Sequence, residues 1–206
     1  MSIFIKIFYY LIIGIGIFLI ARIGIFLVHY QNFSSLSLSN VILAFLYGFR
    51  FDLASLLVFS GIPLLLMALP FHWCTSKWWH VTLSSIVFFV FVLEGTLLIG
   101  DVIYFGYVKR HLTNELLFLG KDIKYLISEA TANPGYLAVW FGTVFLGLLY
   151  WLRLCKIRVV MANMHWAKFI IFFVFVVIAG RGGIGMKPLA IVHAFSSGNS
   201  SFGHLV

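Results

Sequence analysis

Arg22, Arg50, Asp52, Glu94 and Asp101 lie in or beside long apolar runs of a 206-residue chain. A charged side chain at mid-bilayer costs on the order of 2–3 kcal/mol on insertion scales, so each needs a compensating environment. Three uses fit these residue types. Opposite charges can pair and hold helices together, Arg22 with Glu94 and Arg50 with Asp101 being two such intramembrane pairs. An arginine can instead meet a lipid phosphate, whose oxygens suit the guanidinium fork. A lone Glu94 can carry a proton or an ion, as in a transporter. Depth narrows the choice. At about 1.5 Å per residue, Arg22 lies roughly 22 Å along the first apolar run, Glu94 roughly 20 Å along the third and Asp101 roughly 30 Å. Arg50 and Asp52 enter the second run from its outer end, so all five fall in the outer half. Glu94 and Asp101 are seven residues apart and share a helical face.

A second stretch raises a nucleotide question. AGRGGIGMKP (179–188) contains G-x-G-x-x-G at Gly180, Gly182 and Gly185, with Lys187 two residues on. A dinucleotide loop needs a strand before it and a helix after it, and a Walker A loop needs Gly-Lys-Ser/Thr. Here an apolar helix precedes the glycines and Pro188 follows them. The expectation is a helix terminator: the glycines stop the helix, Arg181 anchors it at the headgroups and Pro188 turns the chain outward. No nucleotide partner is expected.

Other side chains give weaker signals. His29, His72, His80, His111, His165, His193 and His204 include no H-x-x-H or H-E-x-x-H spacing, so no metal site is expected in this chain. Cys74 and Cys155 form no disulfide framework. The serines of FSSGNSSF have no acid–base partners nearby, and no G-x-S-x-G elbow exists.

The elements that must position these residues follow from composition. The chain is 63% hydrophobic and 10% charged, against roughly 25% charged residues in a soluble domain. Its solvent is lipid, and the long unalternating runs read as helices. Five spans are expected, near 7–28, within 41–71, near 81–103, near 136–152 and near 166–183. The second region is either one tilted helix or a surface helix followed by a span from Phe51, with Pro63 bending it in either case. The first run is too long, and too interrupted by Arg22, for a cleaved signal peptide. HWCTSKWWH (72–80) places tryptophans where a membrane interface attracts them.

The net charge of +8 sits mostly beside the apolar runs, where it orients helices and meets anionic headgroups rather than nucleic acid. Arg153, Lys156, Arg158 and Lys168 crowd the fourth connection, while residues 29–40 hold no Lys or Arg. The N-terminus is therefore expected in the cytoplasm and the C-terminus outside. Segment 104–135 is more polar. Leu112, Leu116, Leu119, Ile123, Leu126 and Ala130 recur at steps of three and four, which predicts an external amphipathic helix ended by Asn133-Pro134-Gly135. Such a helix either lies in the headgroup plane, docks a soluble domain or packs on neighbouring spans.

YGFRFDLASL (47–56), DVIYFGYVKRHLTNEL (101–116) and RGGIGMKPLAIVHAFSSGNSSF (181–202) resemble the membrane domain of lipoteichoic-acid-synthase-like, sulfatase-type proteins of the alkaline phosphatase superfamily. The resemblance implies an all-α, polytopic domain over 1–183, with five transmembrane helices and one extracytoplasmic amphipathic helix. It implies that 184–206 is a linker toward an extracytoplasmic catalytic domain, present in cis or in trans. The activity implied is transfer of a phosphoglycerol or phosphoethanolamine headgroup from a phospholipid within the bacterial envelope. The family's threonine nucleophile and its divalent metal, Mn or Mg, belong to that external domain, so no catalytic residue or cofactor is assigned here. The membrane domain would anchor the enzyme in the cytoplasmic membrane and present lipid, with Arg50, Asp52, Asp101, Lys109 and Arg110 near headgroups. A small transporter and a noncatalytic scaffold are the alternatives.

Overall fold

The computed structural model describes residues 3–71, 74, 76–109, 123–132, 134–156, 166–183 and 200–206. They form α1 (Ile3–Val28), α2 (Tyr30–Phe33), α3 (Leu38–Ala68), α4 (Lys77–Val108), α5 (Ile123–Ala132), α6 (Pro134–Lys156), α7 (Trp166–Gly180) and α8 (Ser200–Leu205), with no strand among the described residues. Four helices, α1, α3, α4 and α6, are long and apolar enough to cross a membrane, which marks a multi-pass membrane protein. The fifth expected span falls on α7, whose 15 residues, Lys168 among them, are fewer than the roughly 20 that match a hydrocarbon core.

Local chemistry sets the helix ends. Ser37 caps α3, its Oγ accepting from the Asn40 amide at 3.4 Å. The second apolar region is a single helix, not a surface helix followed by a span. Pro63 lies buried inside it, where the missing N–H leaves the Phe59 carbonyl without its usual helical donor. The α4 helix runs to Val108, five residues past the expected 103, and ends on Lys109 in the left-handed region at φ 58°. Pro134 opens α6 at the first helical position, where its missing N–H is harmless. Of the expected external amphipathic segment, α5 holds 123–132; residues 110–122, with Arg110, Leu112, Leu116 and Leu119, lie outside the described residues.

The centre of the bundle is α1, α3 and α4 in mutual contact, with α7 on α3 and α6 on α4. Two apolar clusters mark its two ends. Ile3, Ile7, Leu64, Met67, Leu83 and Leu154 belong to the cluster at the N-terminal end. Ile25, Phe33, Ala44, Val102, Phe105 and Leu205 form the cluster at the far end. The two chain termini therefore sit at opposite ends of the bundle. Phe59, Ile62, Phe89 and Ile171 point outward and exposed, as helices solvated by lipid require.

Candidate functional site

The far end holds a receptor for Arg22 built on one face of α3. Ala44, Gly48 and Asp52 follow each other at steps of four, so they line up one above another. Arg22 reaches across from α1 into that row. Its Nη2 donates to Asp52 Oδ1 at 2.6 Å, and its Nη1 donates to the Ala44 carbonyl at 3.4 Å. Between them the guanidinium fills the space a side chain would take at Gly48: a Cβ there would lie 0.9 Å from Nη1. Both charged residues are buried, at 9% and 8% exposure. The row thus reads acceptor, gap, acceptor.

This corrects the expected pairing of Arg22 with Glu94. One turn on either side of Glu94, α4 carries Val90 and Leu98, which leave no gap like Gly48 for a planar cation. Glu94 is 5% exposed, and its carboxylate oxygens have no hydrogen-bond partner among the described residues. Asp52, expected near headgroups, is instead consumed by the internal pair.

Arg50 sits two residues from Asp52 and is exposed. Its Nε donates to the Gly182 carbonyl at the end of α7, rather than forming the expected pair with Asp101. The turn that offers this carbonyl is the helix terminator anticipated from the glycines. Gly182 and Gly183 have φ of 80° and 134°, conformations that favour glycine. The Gly182 amide bonds the Ala179 carbonyl at 2.9 Å and the Gly183 amide bonds the Ile178 carbonyl at 2.9 Å, the two bonds of a Schellman cap. A Cβ on Gly183 would lie 2.8 Å from Arg50 Nη2. Two motifs 132 residues apart, R-F-D and R-G-G, thereby meet. Beyond the bond made by Nε, the guanidinium carries four N–H donors on its two Nη nitrogens.

The remaining predicted residues divide. Asp101 is half-buried on α4, and Lys109 is exposed just past its end. Arg110 lies outside the described residues. His29, given no role from sequence, donates Nε2–H to the Val102 carbonyl at 2.9 Å and packs its ring on Phe105 at 5.3 Å. His204 of α8 meets the same phenyl ring at 5.5 Å, so the C-terminal residues dock on the far end.

The N-terminal end holds a second polar group that sequence reasoning missed. Lys6 is fully buried, Ser84 likewise, Tyr10 is 2% exposed and His80 is 6% exposed. The Lys6 Nζ, the Tyr10 hydroxyl, both His80 ring nitrogens and the Ser84 hydroxyl have no hydrogen-bond partner among the described residues. The available signal was spacing: Ile3, Lys6, Ile7, Tyr10 and Gly14 recur on one helical face, so Lys6 falls on the buried side instead of snorkelling. Nearby, Cys74 lies outside the spans, and burial raises its thiol above the ordinary range. Burial of this kind makes a thiol less reactive.

Apolar clefts run between α1, α4 and α6. One of about 300 Å³ is lined by Ile20, Gly24, Gly95, Leu98, Val139 and Thr143, among others. Another of about 270 Å³ adjoins it toward the N-terminal end, between Tyr10, Phe88 and Trp151. Ile17, Ile20 and Thr143 border both. Their chemistry suits hydrocarbon, whereas the exposed guanidinium of Arg50 suits an anion. No group of three or more His, Cys, Asp or Glu side chains able to hold a metal ion occurs among the described residues. Comparison with family models, curated proteins and solved structures returns no match, so the resemblance rests on its motifs alone.

Proposed function

We propose that this chain is the membrane-anchoring, lipid-presenting domain of a sulfatase-type transferase acting on phospholipid headgroups, with its far end on the extracytoplasmic side. The observation that carries the reading is Arg50. Its Nε is anchored on the Gly182 carbonyl, so the guanidinium is oriented before any ligand arrives. Its Nη groups are suited to two phosphate oxygens. The internal Arg22–Asp52 pair fixes the start of the same stretch of α3. The clefts along α1, α4 and α6 offer hydrocarbon a place beside the bundle. Five crossings, with α7 as the short fifth, agree with termini at opposite ends, and α5 belongs to the external amphipathic segment. The catalytic threonine and its Mn or Mg ion belong to the partner domain that the resemblance implies.

The test is phospholipid retention. Purified in neutral detergent, the wild-type chain should keep phosphatidylglycerol or phosphatidylethanolamine visible by native mass spectrometry. Arg50→Leu should lose at least about tenfold in retention, the scale of one charge-assisted contact, and Arg50→Lys should recover part of it. Equal retention by wild type and Arg50→Leu at equal helicity removes the site.

A second reading has one observation in its favour. Glu94 is a buried carboxyl without a hydrogen-bond partner among the described residues, as a proton- or ion-carrying residue of a small transporter would be. Proton or sodium flux into vesicles containing this chain, abolished by Glu94→Gln, would replace the anchoring reading.

A further inference from the structure

The polar group at the N-terminal end has donors and, among the described residues, no acid. Lys6 and Tyr10 stand four residues apart on α1, and His80 and Ser84 stand four apart on α4, so each pair shares a helical face. The two faces come together: Lys6 is close enough to His80 and to Cys155 for their charges to interact, and Ser84 lies beside Tyr10 and Cys155. Lys6 and Ser84 are fully buried, while Tyr10 and His80 are more than nine-tenths buried.

The sequence holds six carboxylates: Asp52, Glu94, Asp101, Glu115, Asp122 and Glu129. Asp52 is bound to Arg22 at the far end. Glu94 is the acid nearest His80 along α4, and fourteen residues of helix separate them by about 21 Å. Asp101 lies farther along the same helix, and Glu115 and Asp122 lie outside the described residues. Among the described residues, no carboxylate is placed to neutralise Lys6. A buried ammonium needs compensation. Lys supplies three donors and no acceptor, while the two hydroxyls and the imidazole can each donate one more hydrogen bond. That donor surplus is the complement of an oxyanion.

We infer that Lys6, Tyr10, His80 and Ser84 form a binding site for a phosphate-type oxyanion at the N-terminal end of the bundle. The phosphate comes either from a phospholipid of the adjoining leaflet or from free phosphate. This site is separate from Arg50, which lies at the other end.

The experiment follows thermal unfolding of the full 206-residue chain in a neutral detergent. Sodium phosphate is titrated against sodium chloride at matched ionic strength, and phosphatidylglycerol against phosphatidylcholine in parallel samples. The wild type should gain roughly 5–10 °C at a hundredfold excess of ligand over its dissociation constant. In an Arg50→Leu background, which removes the separate headgroup contact proposed at the far end, the gain should persist and Lys6→Met should abolish it. Lys77→Met, which removes an exposed lysine at the start of α4, should keep it. A response to phosphate identifies a free anion, and a response to phosphatidylglycerol alone identifies a lipid headgroup. Should Lys6→Met fail to fold, Ser84→Ala is the second variant and should weaken the gain at least severalfold. Absence of any gain in the wild type overturns the site. So does an equal gain in wild type, Lys6→Met and Ser84→Ala, because that would be a general ionic effect.

Discussion

The two ends of this bundle treat buried charge in opposite ways. At the far end, Arg22 meets Asp52 at 2.6 Å and a backbone carbonyl besides. At the N-terminal end, Lys6 is equally enclosed, yet its amine has no hydrogen-bond partner among the described residues. The first arrangement is complete within the chain. The second has no counter-charge among the described residues. The same apolar surroundings therefore serve two purposes. Paired charge fixes helix register, whereas unpaired charge holds a place for a ligand.

The contrast should appear most strongly in stability. Asp52→Asn leaves Arg22 buried without its counter-charge, and such a loss typically costs about 3–5 kcal/mol. Chemical unfolding in detergent would read it. Gly48→Ala attacks the same pair through space, since its Cβ would occupy the guanidinium position. It should be nearly as damaging alone, yet close to neutral in an Arg22→Met background. Equal damage in both backgrounds would mean that Gly48 serves the helix rather than the arginine.

At the other end the sign should reverse. In phosphate-free neutral detergent, Lys6→Met removes a buried charge that no acid among the described residues offsets, and replacement of buried ions by apolar groups often stabilises by about 1–4 kcal/mol. Destabilisation under those conditions would mean that Lys6 is already compensated within the protein. The smallest effect belongs to Lys109. Its left-handed conformation at φ 58° should make Lys109→Gly stabilising by about 1 kcal/mol, with no change if the end of α4 readjusts freely.

Much of this bundle could be read from sequence because lipid leaves a chain few options. Long apolar runs must be helices, and α1, α3, α4 and α6 appear where those runs predict them. The Gly182–Gly183 terminator was legible for the same reason: glycine with positive φ is a local property. Partner choice was not legible. The Ala44–Gly48–Asp52 row stood in the sequence, but only the approach of α1 to α3 gives it meaning. Depth alone allowed Glu94 as well, and packing decided against it. Lys6 drew no expectation of its own, because a lysine near a helix start usually reaches the interface. Its place on the face shared by Ile3, Ile7 and Tyr10 outweighed that tendency.

The account rests on the two ends facing different compartments, with the far end outside the cell. Cysteine labelling tests this directly, in a chain whose native Cys74 and Cys155 are first changed to alanine. Single cysteines replace exposed Ser35, between α2 and α3, and exposed Lys77, at the start of α4. A membrane-impermeant maleimide added to intact cells should label Ser35→Cys at once and Lys77→Cys only after permeabilisation. Labelling of both from the same side, or the reverse order, would contradict the account.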